Sequence, residues 1–270
     1  MVFALAALAF QSGYQLVFRD EFDTPGRVDG SKWTYELGFV RNRELQYYQR
    51  SNVSVENGLL VIEGRKERVN NPRYDPSVSS APVGGAAKPG EDWKRARQFA
   101  DYTSGCIKTR GLHSWLYGRF EIRAKIVPIP GLWPAIWFVG DTHPWPTNGE
   151  IDLMEFYQQF VHANTVYGDS KWNSKRVPLA EFTDKDPAWA SKFHVWRMDW
   201  DEHWIRLYLD DRLMNETDCS KTLNKDGFNP FHQKQSILLN LAIGSTGGDP
   251  SKVPFPTRFE VDYVRVYQKK

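Results

Sequence analysis

Trp145-Pro-Thr-Asn-Gly-Glu150-Ile-Asp152-Leu-Met-Glu155-Phe156 sets three carboxylates close together among apolar side chains. On an extended strand, side chains alternate between faces, so Glu150 and Asp152 share one face while Ile151 and Leu153 share the other. Strict alternation would then send Glu155 to the apolar side. One extra residue, a β-bulge at Leu153-Met154, brings it back to the acidic face. A row of three carboxylates is too costly to bury in a core. The segment therefore predicts a sheet with one face packed and the other open as a concave surface or cleft.

The spacing also predicts a chemistry. Glu150 and Glu155 would lie about 13 Å apart at Cα, counting strand steps of roughly 3.3 Å. Side chains leaning together can reach the ~5–5.5 Å carboxyl separation used by retaining glycosidases. In that arrangement one carboxylate attacks the anomeric carbon, and the other protonates the leaving oxygen and later activates water. Asp152, between them, can hydrogen-bond the nucleophile and keep the pair's pKa values apart. From spacing alone, a solvated acidic strand face and a divalent-cation site remain alternatives. Trp133, Trp137 and Trp145, just upstream, favour a sugar site, because flat apolar rings suit sugar stacking and a bare cation has no use for them.

The rest of the chain agrees with an all-β reading. Gly58-Leu-Leu-Val-Ile-Glu63, Gly118-Arg-Phe-Glu-Ile-Arg-Ala-Lys-Ile126, Trp204-Ile-Arg-Leu-Tyr-Leu209, Ile237-Leu-Leu-Asn-Leu-Ala242 and Phe259-Glu-Val-Asp-Tyr-Val-Arg-Val-Tyr267 are β-branched and aromatic runs bounded by turn residues. Asn57-Gly58 and Asp226-Gly227 are turn signals. Convincing amphipathic helices and internal repeats are missing. The pattern predicts two packed antiparallel sheets, a sandwich or jelly roll. Residues 13–270 are expected to form one domain, with an insertion over about 69–90 where Asn, Pro, Ser and Gly crowd together.

Composition narrows the partners. Lys and Arg number 35 against 33 Asp and Glu, so no general field attracts nucleic acid or an anionic membrane. No stretch is long and apolar enough to span a bilayer. Residues 1–12, opening Met1-Val-Phe-Ala-Leu-Ala-Ala-Leu-Ala-Phe10, resemble the apolar part of a signal peptide, or alternatively a hydrophobic first strand. The first reading implies a secreted, periplasmic or cell-surface protein, expected as a monomer. Cys106 and Cys219 match no zinc or redox spacing and are read as free thiols. Asn52-Val-Ser and Asn215-Glu-Thr are glycosylation sequons of a kind that also arises by chance.

Gly149-Glu150-Ile-Asp152-Leu-Met-Glu155 closely resembles the E-x-D-x-x-E signature of family 16 glycoside hydrolases in its bulged, laminarinase-like form. Six further blocks resemble that family in order. They are Phe18-Arg-Asp-Glu21-Phe-Asp23; Glu44-Leu-Gln46-Tyr-Tyr48 with Asn52-Val-Ser-Val-Glu-Asn57-Gly58; Tyr102-Thr-Ser-Gly105; Tyr117-Gly-Arg-Phe-Glu121; Gly131-Leu-Trp133-Pro-Ala-Ile-Trp137; and Leu239-Asn240-Leu-Ala-Ile-Gly244 with Val261-Asp262-Tyr-Val-Arg-Val-Tyr267. The resemblance covers roughly residues 14 to 268. It implies a β-jelly roll, endo-hydrolysis of a β-linked polysaccharide, Glu150 as nucleophile, Asp152 as its assistant and Glu155 as general acid/base. It places Trp137 and Trp145 beside the sugar at the cleavage point, and Asn42 and Gln46 beside sugars on the non-reducing side. Trp133, Tyr167 and Asn240 are further candidate substrate contacts. No cofactor is implied for catalysis. A structural Ca²⁺ would map to Glu21, Asp262 and the carbonyl of Gly58; the alternative is that the two acids are ordinary surface residues.

Three features depart from the family pattern. Laminarinase-like members carry a basic residue after Thr-Ser-Gly, and here it is Cys106, whose thiol offers almost no donors to a sugar. A Thr-Val-His block reads Thr165-Val166-Tyr167, and His162 nearby is expected on the surface. The 69–90 insertion has no counterpart in the simplest members. These changes affect substrate more than reaction. A β-1,3- or mixed β-1,3/1,4-glucan is the expected substrate. A β-galactoside chain of a galactan or host glycan is the alternative. A non-catalytic carbohydrate-binding module is a distant third reading.

Overall fold

Apolar side chains at alternate positions drive two antiparallel sheets together in the computed structural model of the chain, which describes residues 13–78 and 92–270. One sheet has eight strands: β1 (Tyr14–Asp20), β4 (Val53–Glu56), β5 (Leu59–Gly64), β10 (Gly118–Lys125), β15 (His194–Trp200), β16 (Trp204–Leu209), β17 (Arg212–Asp218) and β19 (Thr257–Lys269). The other has seven: β2 (Thr34–Tyr35), β9 (Cys106–Lys108), β11 (Leu132–Gly140), β12 (Glu150–Tyr157), β13 (Phe160–Tyr167), β14 (Lys171–Pro178) and β18 (Gln235–Ile243). Two short pairs complete the set, β3 (Gln46–Tyr48) with β8 (Tyr102–Ser104) and β6 (Val69–Asn70) with β7 (Phe99–Ala100). This is the all-β jelly-roll sandwich expected from the sequence.

β10 shows why these residues form strands. Phe120, Ile122 and Ala124 are fully buried between the sheets, while Arg119, Glu121, Arg123 and Lys125 point outward. Burying each such large apolar side chain contributes about 2 kcal/mol relative to exposure. On the outer face of the eight-stranded sheet, charges pair across strands: Arg119 with Asp199, Arg123 with Asp262, Lys125 with Glu260 and Arg265 with Glu21. Asn57 and Gly58 both adopt positive φ, 54° and 77°, in the two-residue link between β4 and β5. The Asn-Gly pair fits that turn because Gly has no Cβ to clash and Asn tolerates the left-handed region.

The seven-stranded sheet runs in the order β14-β13-β12-β11-β18-β9-β2, so β12 lies inside it with strands on both sides. Its inner face supplies Ile107, Ile136, Phe138, Ile151, Leu153, Met154, Phe156, Leu239 and Leu241 to the core. The alternate positions on its outer face form the floor of a cleft. The expected insertion, about 69–90, opens with β6, which pairs with β7 at 99–100 beyond it, and Asn71 holds the carbonyls of Lys94 and Arg97. Residues 1–12, with the signal-peptide reading, and 79–91 lie outside the described residues.

Candidate active site

Glu155 reaches the cleft through a bulge. On β11, Trp137 pairs with Asp152 but Ile136 pairs with Met154, so Leu153 is the extra residue. The β13 side repeats the shift, with Asn164 opposite Asp152 and His162 opposite Glu155. Leu153 and Met154 both enter the core, which is what an extra residue in a strand permits. Glu150, Asp152 and Glu155 consequently line one cleft of about 760 Å³, with Trp133, Trp137, Trp145, Tyr157 and Trp172 on its floor and walls.

Each glutamate has an indole donor. Trp145 Nε1 donates to Glu150 Oε2 at 2.9 Å, and Trp133 Nε1 donates to Glu155 Oε1 at 2.8 Å. Asn164 Nδ2 donates to the other oxygen of Glu155 at 3.1 Å. Burial raises the pKa of Glu150 from 4.5 to about 7, opposed by the charge on Arg41 and by hydrogen bonds from Trp145 and Asp152. Glu155 rises to about 7 as well, first through burial and then through repulsion by Glu150, with hydrogen bonds from Trp133, Asn164 and Asp152 pulling the other way. Asp152 lies between two charges, and burial and both neighbours push its pKa well up. Its Oδ2 is buried and has no hydrogen-bond partner among the described residues. When protonated, a carboxyl so placed can donate to an ionised neighbour. Three interacting carboxyls near neutral pH can exchange protons with a substrate, and one left ionised can act as a nucleophile.

Other candidates fall where expected, with changed roles. Trp137 lies on the cleft floor, but its Nε1 donates to Asn240 Oδ1 at 2.7 Å, and the Arg41 guanidinium lies over its ring, 4.8 Å from the centroid. Asn240 in turn donates to Tyr48 Oη at 3.2 Å, so its amide braces the floor. Trp145 is about half exposed at the cleft mouth, free to meet a ligand. Asn42 lines the cleft and donates to Glu44 at 3.3 Å.

Several expectations need correction. Gln46 is buried outside the cleft lining, where a sugar does not reach it: its Nε2 donates to Glu44 and its Oε1 accepts from the Ile243 amide. Tyr167 follows Val166 on the opposite face and packs edge-on against Phe231 on the core side. His162 is not a surface residue; it is 6% exposed, opposite Glu155, stacked at 3.8 Å on Tyr157. Burial, aided by the charge on Arg176, lowers its pKa to about 4 against the pull of the Tyr157 carbonyl, so it stays neutral at ordinary pH. The residues expected to hold Ca²⁺ do not fit a cation. Both oxygens of Glu21 accept from Arg265 at 2.8 Å, and Asp262 is paired with Arg123. Among the described residues no cluster of three or more His, Cys, Asp or Glu is arranged to hold a metal. Both cysteines are buried free thiols, and the sequon asparagines Asn52 and Asn215 are buried with their amides engaged inside the protein.

Sequence reasoning missed Glu36, Arg41, Asn164 and Trp172, which all line or support the cleft. Asn164 was legible as the position across from Asp152 once the bulge was placed. Arg41 and Glu36 lie in a segment with no strand periodicity, and only folding brings them to Trp137.

Comparison with known proteins gives the chemistry a family. The chain is 35% identical to a beta-glucanase of Rhodothermus marinus, over 94% of this chain and 85% of that one. A solved structure described with endo-acting O-glycanases of the human gut microbiota that initiate mucin breakdown superposes with a TM-score of 0.84 at 32% identity, covering 96% of this chain and 92% of that one. SCLam, a non-specific endo-beta-1,3(4)-glucanase, superposes with a TM-score of 0.75 at 36% identity, again covering 96% and 92%. The model of glycosyl hydrolases family 16 matches residues 46–265, and with the bulged acidic strand beneath its tryptophans the chain belongs to that family and is a glycoside hydrolase.

Proposed function

We propose that this hydrolase cuts internal linkages of a β-1,3- or mixed β-1,3/1,4-glucan with retention of configuration, Glu150 acting as nucleophile and Glu155 as acid/base. The observation that carries the reading is the bulge that turns Glu155 to the same face as Glu150 and Asp152. Glu155, protonated, gives its proton to the leaving glycosidic oxygen as Glu150 attacks the anomeric carbon. A covalent glycosyl–enzyme forms, and Glu155, now ionised, takes a proton from the water that releases the sugar. Asp152 donates to whichever glutamate carries charge. The open cleft suits a chain threaded past the acids, and the glucanase relatives support a glucan.

A β-galactoside chain of a host glycan is the second reading. The likeness to an O-glycanase structure, and the buried thiol of Cys106 behind Trp137 in place of a basic residue, favour it. Digestion of laminarin, lichenan, agar-type galactan and mucin-type glycans, with products sized by mass spectrometry, separates the two, and products longer than the substrate would reveal transglycosylation. Glu150→Ala should abolish release of reducing ends, and azide should restore turnover with a glycosyl azide of inverted configuration. Wild-type turnover without azide, or an azide of retained configuration, would remove Glu150 as nucleophile. A polymeric substrate and the apolar leading residues support action outside the cell, and we assign the enzyme there as a monomer.

A further inference from the structure

We propose that Arg41 is a positioning residue of this hydrolase: clamped between Glu36 and the ring of Trp137 in the lining of the cleft that holds the three acids, its guanidinium offers an uncommitted N–H to the sugar beside Glu150. The inference rests on the reading of Glu150 as nucleophile.

The clamp is built from three directions. Glu36 accepts from Arg41 Nη2, and its other oxygen lies 3.7 Å from Lys108 Nζ on β9. Trp137 holds the flat face of the guanidinium. The segment that carries Arg41 is itself anchored: Arg97 donates to the carbonyls of Arg43 and Glu44, Leu45 donates its amide to Ile243, and Ser245 donates to the Asn42 carbonyl. Arg97 sits between Phe39 and Trp93, so the stretch that follows the insertion buttresses this segment. Arg41 Nη1 is buried in the lining of the cleft and has no hydrogen-bond partner among the described residues. An orphaned donor on a charged group is costly and calls for a partner that arrives with the ligand. A sugar hydroxyl oxygen is an acceptor of the right kind for a group that cannot lose its proton.

The charges around Glu150 show what Arg41 does. Asp152 and Glu155 share its strand; Glu36, Glu44 and Arg41 approach from the segment between β2 and β3; Lys108 comes from β9, and Arg110 and His143 stand at the mouth. β13 and β18 present Val166 and Asn240, which do not titrate. On β9, Cys106 donates its thiol to Glu36 at 3.3 Å, and burial raises the thiol's pKa well above its ordinary value, so it adds no charge. Arg41 is the leading cation acting on Glu150, and no cation figures among the leading influences on Glu155. Two glutamates with similar burial are thus told apart by one guanidinium. Both are raised to about 7, and the guanidinium favours the charge on Glu150.

The test is the pH dependence of kcat/KM for Arg41→Met and Arg41→Lys on whichever glycan the digestion panel identifies. An opposite charge nearby lowers a carboxyl pKa by about 1–3 units, so Arg41→Met should move the acidic limb up by about 1 unit. Arg41→Lys keeps the charge but loses the fork. It should leave that limb in place and raise KM several-fold. If Arg41→Met does not fold, judged by its thermal transition, Arg41→Gln reads the same limb. A lowered Tm with an unmoved acidic limb and unchanged KM would reduce Arg41 to a loop tether and overturn the proposal. Failure of azide rescue in Glu150→Ala would instead sink the nucleophile assignment, whatever Arg41 does.

Discussion

Replacing Trp133 with Phe keeps an aromatic wall but removes the N–H that donates to Glu155 Oε1 at 2.8 Å. That hydrogen bond favours the ionised carboxylate, so its loss must raise a pKa that burial and the charge on Glu150 already hold at about 7. A hydrogen bond to a charged group is worth about 1.5–3 kcal/mol, and each pKa unit corresponds to about 1.4 kcal/mol. The upper figure overstates the change, because Asn164 and Asp152 still support the carboxylate and Glu155 titrates together with Glu150. An upward shift of about 1 unit is expected. Glu155 must be protonated to serve the leaving oxygen, so activity is lost as pH rises through its pKa. The alkaline limb of kcat/KM should therefore move to higher pH by about 1 unit, while the acidic limb, which reports Glu150, stays in place. The assay is reducing-end release across pH at substrate well below KM. An alkaline limb that is unmoved, or shifted downward, would refute either the acid/base role of Glu155 or the part Trp133 plays in it.

Other outcomes follow from the same geometry. A glutamate whose folded pKa is raised above 4.5 binds protons more tightly folded than unfolded, so its stabilising effect is greatest at acid pH and is lost between about 4.5 and 7; Glu155→Gln should accordingly raise stability by about 1–3 kcal/mol at pH 8 and much less at pH 5, as read by thermal unfolding. Because Glu21 and Asp262 are held by Arg265 and Arg123, a chelator should leave Tm unchanged, whereas Arg265→Met should lower stability by about 1 kcal/mol; a chelator-induced fall in Tm would restore a cation to that face. Gly140→Ala would drive a methyl into the Asn148 carbonyl and the Gln233 amide beneath the loop that carries Trp145, and should cost about 2–4 kcal/mol in denaturant unfolding, with a loss of activity.

The local periodicity of the chain determined the class of fold. Phe120-Glu-Ile-Arg-Ala-Lys can bury one face and wet the other only as a strand, and that choice does not depend on what it meets. The same logic located the bulge, because three carboxylates separated by Ile, Leu and Met have one affordable arrangement. What packing decides was less legible. Gln46 and Tyr167 sit in the right blocks, but which way each side chain turns depends on the partner that fills the other face, Glu44 in one case and Phe231 in the other. His162 looked like a surface residue until its pairing with Glu155 put it under Tyr157. Arg41 and Glu36 reach Trp137 and Lys108 only when a loop folds onto a strand far along the chain. The sequence by itself determined strands, faces and the acidic row, because a two-residue period is a local property of the backbone. The tertiary structure alone decided which charge stands beside which glutamate, because Coulomb energy depends on distance through space and not along the chain.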